Sequence, residues 1–260
     1  MPQHRSRKRF GQHFLHDQEI IDRIIAAIAP APGQCLIEIG PGTGALTLPL
    51  LQRVGELHVV ELDRDLAAEL VRYCQGAGIL HMHCQDALDF DFRGLATDRK
   101  NVRIIGNLPY NISTPLVFHL LETADHISDM MFMLQEEVVD RMTADPGSKV
   151  YGRLSVMVQA QCRVEKLFTV GAVSFTPPPK VSSAIIRLIP RMQTGIQDYD
   201  TFADIVRQSF NQRRKTLRNA LKGRISEQQM QTLGIFPGLR PEQLTVEQFI
   251  SLANSAAREA

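Results

Sequence analysis

The stretch VRIIGNLPYNIS, residues 102–113, carries an apolar run out of a strand through Asn107, Leu108, Pro109 and Tyr110. These four residues offer a carboxamide, a main chain stiffened by a proline of fixed φ and an aromatic face, with no acid, base or nucleophile among them. Such a set suits an exocyclic amine. The amino nitrogen of adenine is a poor nucleophile because its lone pair is conjugated into the ring. If the Asn107 side-chain oxygen and the Pro109 carbonyl each accept one of its hydrogens, the nitrogen is drawn towards tetrahedral geometry, and the charge that builds as a methyl group arrives is stabilised. Tyr110 adds a stacking face, worth about 1 to 3 kcal/mol per base in comparable contacts. The competing reading is a plain strand-ending turn, for which Asn and Pro are common residues.

Three earlier strand ends weigh against a plain turn. The segment Glu38-Ile39-Gly40-Pro41-Gly42-Thr43-Gly44 opens into a helical pattern, and its glycines let the backbone approach a ligand with no Cβ in the way. Gly40, Gly42 and Ala45 satisfy a relaxed dinucleotide fingerprint, and Glu61, about twenty residues on, stands where ribose hydroxyls are held. Asp86 closes a third strand and could accept from an adenine amino group, although an Asp there also serves as a turn former or helix cap. One extended adenosine ligand could touch Glu38, Glu61 and Asp86 together. These features point to a nucleoside cofactor without choosing between NAD and S-adenosylmethionine.

The elements that must position these residues follow from periodicity. Strands are expected at 34–40, 56–63, 79–86, 102–108, 129–138, 162–170 and 183–190, with amphipathic helices at 43–54 and 113–124 between them. Alternation of strand and helix implies an α/β fold, a mostly parallel seven-stranded sheet covered on both faces, with ligands beyond the carboxyl ends of the strands. After Pro190 the β pattern stops. Residues 201–223, 226–234 and 245–258 read as helices punctuated by glycine and proline. The expected organisation is therefore a nucleoside-binding domain over 1–190 and a small all-α domain over 191–260.

Composition narrows the partners. A chain of 260 residues with 44% hydrophobic and 22% charged residues is an ordinary globular protein. It contains no apolar run of roughly 18 residues that would span a membrane. Four scattered cysteines fit reduced thiols in a cytoplasm, and the basic start lacks an apolar signal core. The net charge of +1 hides two basic patches, Arg5, Arg7, Lys8 and Arg9 at the start, and Arg207, Arg213, Arg214, Lys215, Arg218, Lys222 and Arg224 late in the chain. These are compatible with a nucleic acid or with a solvated face. His81-Met82-His83-Cys84 has a metal-like look, but alternation on a strand separates the two histidines from Met82 and Cys84, so no metal is expected. Cys35 and Cys162 read as apolar packing. Asp145–Ser148 reads as a turn, and Tyr151-Gly152-Arg153 after it as a mobile, substrate-facing loop.

The blocks RKRFGQHFL, EIGPGTGAL, VVELDRDL, QDAL, GNLPYNISTPL, MLQEEVVDR, YGRLSV, FTPPPKVSSA and NQRRKTLRNAL stand in an order that closely resembles the ribosomal RNA adenine dimethyltransferases of the KsgA type. The resemblance covers almost the whole chain. It implies a Rossmann-like methyltransferase domain and a small helical domain, with S-adenosylmethionine as methyl donor. The implied substrate is two adjacent adenosines in a hairpin loop near the 3′ end of small-subunit ribosomal RNA, each becoming N6,N6-dimethyladenosine. A monomer acting in the cytoplasm on a 30S-like particle, with a role in subunit biogenesis, is expected. By the family's pattern His13 and Leu15 lie beside the cofactor, Gly40 meets its methionine part, Glu61 its ribose and Asp86 its adenine, and Glu38 and Gly42 are expected among the cofactor-binding residues. Asn107, Leu108, Pro109 and Tyr110 form the transfer site. Phe175, which also reads as a core residue, is the family's second aromatic near the base. RNA contacts are expected from Arg7, Lys8, Arg9, Arg213, Arg214, Lys215 and Arg218. His13 departs from the family's Asn; a main-chain contact there survives the change. The rival functions are a nicotinamide oxidoreductase, a large-subunit RNA methyltransferase conferring macrolide resistance, and a non-catalytic assembly factor.

Overall fold

A computed structural model describes residues 13–95, 102–110, 112–211 and 214–257. In chain order its elements are β1 (Phe14–Leu15), α1 (Gln18–Ile28), β2 (Cys35–Ile39), α2 (Thr47–Val54), β3 (Glu56–Val60), α3 (Arg64–Tyr73), β4 (Ile79–His83), β5 (Val102–Asn107), α4 (Ser113–Leu121), β6 (Ile127–Gln135), α5 (Glu136–Met142), α6 (Arg153–Gln161), β7 (Cys162–Val170), β8 (Phe175–Thr176), β9 (Ser183–Pro190), α7 (Tyr199–Asn211), α8 (Leu217–Ala220), α9 (Glu227–Thr232) and α10 (Val246–Ala257). All seven expected strands are present. They form one seven-stranded sheet in the order β4-β3-β2-β5-β6-β9-β7. The pairs from β4 through β6 are parallel, and β9 runs antiparallel to β6.

The central strands are buried on both faces, with Leu36, Ile37, Val59, Ile104, Met130 and Phe132 essentially inaccessible. This is why the sequence shows continuous apolar runs there rather than alternation. At the end of the sheet where β5 and β6 begin, Asp129 is held by two arginines. Arg103 donates Nε to Oδ1 at 2.7 Å and Nη2 to Oδ2 at 3.1 Å, and Arg187 donates Nη2 to Oδ2 at 2.8 Å. Burial alone would raise the Asp129 carboxyl, but these hydrogen bonds outweigh it and hold it below its ordinary range.

Several boundaries differ from expectation. The helix expected from residue 43 begins at Thr47, because Gly44 takes φ +87° and keeps the preceding loop out of helical conformation. The strand expected through 138 ends at Gln135, where Glu136 and Glu137 open α5 with acids favoured in a first helical turn. The stretch 201–223 is two helices, since Thr216 is extended and caps α8.

The chain folds as two compact units, one running to Val139 and including Glu165–Pro190, the other comprising Asp140–Val164 and the chain from Arg191 on. A boundary at 190 therefore misplaces residues 140–164. Within the second unit the Gln159 amide donates to the carbonyls of Met142 and Ala144 at 2.9 and 2.8 Å. Tyr151, expected on a mobile loop, is fully buried there beside Phe210.

Candidate active site

The chain leaves β2 for β3 and β4 on one side and returns to β5 on the other, so β2 and β5 flank the point where the strand order reverses. Ligands bind at such a point because the loops after the two strands diverge. A cleft of about 270 Å³ opens there in the first unit. Gly40 and Gly42, at φ +65° and +57°, turn the backbone along its wall. A Cβ on Gly40 would lie 3.5 Å from the Asn107 carbonyl, and one on Gly42 would press the Phe14 ring at 3.1 Å. Conformation thus favours glycine at both positions, and at Gly42 space does too.

Four carboxylates line this cleft: Glu38, Glu61, Asp63 and Asp86. Glu38 is 2% exposed, and its Oε2 finds no hydrogen-bond partner among the described residues. Burial pushes its carboxyl up to about 7, with the Thr47 hydroxyl opposing and the Glu61 charge adding to the rise. Glu61 is also buried. Desolvation raises its carboxyl, while N–H groups of Asp63, Gly42 and Leu62 act against that; the Asp63 N–H donates to Oε1 at 2.9 Å. Asp86 accepts the Leu88 N–H at 3.0 Å, so it forms the turn that the bland reading expected while also facing the cleft. Among the described residues, no lysine or arginine lines the cleft.

The tetrapeptide closes the far wall. Leu108 is buried and its N–H donates to the Met133 carbonyl at 3.3 Å, anchoring the segment to the sheet and leaving its side chain outside the cleft lining. Gly106 makes this turn feasible, since a Cβ there would meet the Ile39 carbonyl at 2.6 Å and Leu108 at 2.8 Å. Asn107 donates Nδ2 to the His13 carbonyl at 3.3 Å, which leaves Oδ1 as the acceptor end of the amide. The main chain of His13 thus makes the contact that matters to Asn107; its ring Nδ1 lies 2.7 Å from the Pro177 carbonyl. Tyr110 faces the His13 ring with centroids 5.8 Å apart, and its hydroxyl pairs with Ser183 Oγ at 3.0 Å. The Pro109 carbonyl, expected as an amine acceptor, already takes the Ile112 N–H at 3.2 Å in the turn that opens α4.

His13 is carried by β1, which pairs antiparallel with β8, Leu15 opposite Phe175. Ser174 donates to Asp17, the cap of α1, at 2.8 Å and ties this short ribbon down. Phe175 is 2% exposed and packs in the core cluster with Leu15. It is absent from the cleft lining, so the structure places it as the core residue that the sequence equally allowed. Leu15 lines the cleft from the core side. Missed by sequence reasoning were Phe14, Leu62, Asp63 and Gln85; an apolar Leu62 between the acids Glu61 and Asp63 was the legible signal.

In the second unit Arg214, Lys215 and Arg218 are exposed. Arg207 and Arg224 both pair with Asp204, and Arg218 lies 3.9 Å from Glu227. The expected contacts at Arg7, Lys8, Arg9 and Arg213 fall outside the described residues.

Residues 3–258 match the family model described as ribosomal RNA adenine dimethylase. The chain is 55% identical to the ribosomal RNA small subunit methyltransferase A of Alcanivorax borkumensis, over 98% of this chain and 91% of the relative. It is 54% identical to that of Nitrosococcus oceani, over 96% and 95%. Among solved structures, a dimethyladenosine transferase from Plasmodium falciparum superposes with TM-score 0.85 at 27% identity, covering 95% of this chain and 98% of the other. The 23S rRNA methyltransferase ErmE gives 0.73 at 26% identity, covering 94% and 99%. With its glycine cradle, acid-lined cleft and Asn-Leu-Pro-Tyr wall on a methyltransferase sheet, this chain belongs to the ribosomal RNA adenine dimethylase family.

Proposed function

We propose that this chain transfers methyl groups from S-adenosylmethionine to N6 of two adjacent adenosines in the 3′-terminal hairpin loop of small-subunit ribosomal RNA, giving N6,N6-dimethyladenosine at each. The observation that carries this reading is the oriented Asn107 amide in the wall of a cleft lined by four carboxylates and, among the described residues, by no lysine or arginine. A dinucleotide brings a pyrophosphate that such a cleft repels. S-Adenosylmethionine brings a sulfonium and an ammonium group, and fits it. The buried Glu38 oxygen, unpartnered among the described residues, and the Gly40 backbone, turned at φ +65°, suit its methionine part. Glu61 holds the ribose hydroxyls and Asp86 the adenine amino group.

S-Adenosylmethionine supplies an already electrophilic methyl group, so this chain's task is to present the amine. Asn107 Oδ1 accepts one N6 hydrogen. The Pro109 carbonyl takes the Ile112 N–H on one lone pair and accepts the other N6 hydrogen on its second. Tyr110, held by Ser183, stacks on the target base. The bond from carbon to sulfur breaks as the bond to N6 forms, and the nitrogen then loses a proton to solvent. Arg214, Lys215 and Arg218, with Arg7, Lys8, Arg9 and Arg213, bind phosphates. The enzyme acts in the cytoplasm, as a monomer, on a 30S-like particle during subunit biogenesis.

The names of the relatives support the small subunit over the large-subunit branch that ErmE represents. Incubation of the chain with labelled S-adenosylmethionine and unmethylated small or large subunits, followed by nucleoside analysis, tests the proposal. Labelled N6,N6-dimethyladenosine is expected in small-subunit RNA. Label confined to large-subunit RNA, or none at all, overturns it.

A further inference from the structure

Away from the cleft, the parallel pairing of β3 with β4 sets His58 opposite His81 and Val60 opposite His83. Side chains alternate along each strand, so Glu56, His58, His81 and His83 share one face of the sheet. The His58 ring stacks on His81 at 4.5 Å and on His83 at 5.4 Å, within 15° and 12° of parallel. His81 Nε2 lies 2.7 Å from Glu56 Oε1, and His58 Nδ1 lies 3.1 Å from His83 Nε2. One ligand atom each from Glu56, His58 and His81 falls within 4.8 Å of the other two. From this geometry we infer that Glu56, His58 and His81 bind one divalent transition-metal ion of the zinc class.

The bland account is a surface His–Glu pair with two more imidazoles nearby, but the stacking of His58 on His81 brings a second imidazole nitrogen within ligand reach of that pair. Two imidazoles and one carboxylate make a three-ligand site that leaves a tetrahedral position for water. Imidazole nitrogen favours zinc, nickel or copper over magnesium or calcium. Bonds of about 2.0 to 2.1 Å bring ligand atoms to roughly 3.3 Å apart. The Glu56–His81 pair, at 2.7 Å, must therefore open to admit the ion between its atoms, and both side chains, 58% and 40% exposed, are free to turn. His83 is the outer partner that sets the His58 tautomer, and it rests edge-on against Phe90 at 4.9 Å. Because β4 is the sheet edge, the ion would pin that strand to β3 and take no part in methyl transfer.

Titration calorimetry of the full chain with zinc chloride should show one ion per chain at a micromolar dissociation constant. The double variant Glu56→Gln/His81→Gln should bind at least about tenfold more weakly, while its thermal melt without metal shows that it folds. Zinc should also raise the melting temperature of the wild type and not that of the variant. Crystals soaked in zinc provide a check that needs no variant: an anomalous peak is expected between Glu56, His58 and His81. Absence of saturable binding below about 100 µM, unchanged binding by a folded double variant, or an anomalous peak elsewhere with none at this cluster would overturn the site.

Discussion

Replacing Glu61 separates two effects that oppose each other. The carboxylate is buried at the end of β3, and desolvation has raised it, so in the absence of ligand its charge is a burden on the fold. Its Oε1 also accepts the Asp63 N–H at 2.9 Å, ahead of the α3 cap. Glu61→Ala removes that acceptor and leaves a buried N–H, costing about 1 to 3 kcal/mol of stability. Glu61→Gln keeps an acceptor oxygen and removes the charge, so the variant should fold at least as stably as the wild type. Towards the ligand both changes weaken binding. Ribose hydroxyls lose a charged acceptor, and charged hydrogen bonds contribute about 1.5 to 3 kcal/mol against about 0.5 to 1.5 for neutral ones. The Gln variant should thus bind S-adenosylmethionine about 5- to 13-fold more weakly, and the Ala variant about 10- to 150-fold. Calorimetry on folded variants, with a denaturant melt beside it, reads both quantities. Unchanged affinity in either variant, or tighter binding of NADH than of S-adenosylmethionine, would refute the assignment of Glu61 to the ribose.

Glu38 titrates near 7 in the fold against an ordinary 4.5, so the native state holds its proton more tightly than the unfolded chain does. Its favourable contribution is complete below pH 4.5 and is lost as pH rises through about 7. Glu38→Gln should match the wild type in denaturant melts near pH 4 and exceed it by about 3 kcal/mol at pH 8; a difference that ignores pH refutes this. Asp129→Ala leaves Arg103 and Arg187 without their shared carboxylate and should cost about 3 to 5 kcal/mol, whereas a loss under about 1 kcal/mol in the same melts would show the cluster to be incidental. Arg214→Ala should lower the salt slope of RNA binding by about one, as read by fluorescence anisotropy, and an unchanged slope removes Arg214 from the interface.

The central strands were legible because strands buried on both faces write near-continuous apolar runs, while the edge strands β4 and β7 are partly exposed and mix in polar residues. What lies between strands was less legible. Thr216 breaks one apparent helix through a cap that periodicity does not see. Residues 140–164 join the helical unit through packing such as that of Tyr151 on Phe210, a partner remote in sequence. At the site, the glycines and acids were readable from spacing, because each ends a strand. The two-residue ribbon of Phe14–Leu15 with Phe175–Thr176 was too short to announce itself, and so the core position of Phe175 and the role of Phe14 were not. Likewise the metal-like look of His81 and His83 led nowhere along one strand; only the register with β3 brings Glu56 and His58 to them.

The central claim is that the Asn107 amide presents the amine and neither binds the substrates nor takes a proton. Its Nδ2 is fixed on the His13 carbonyl at 3.3 Å, so its oxygen is already turned for the task. A single-turnover assay of Asn107→Ala on unmethylated small subunits, resolving mono- from dimethyladenosine, tests this most directly. Loss of one placed acceptor predicts a rate lower by about 10²- to 10³-fold, with S-adenosylmethionine and RNA still bound. The second methylation should respond differently from the first, because monomethyladenosine retains one N6 hydrogen. Near-normal transfer, or a defect confined to binding, would contradict the account.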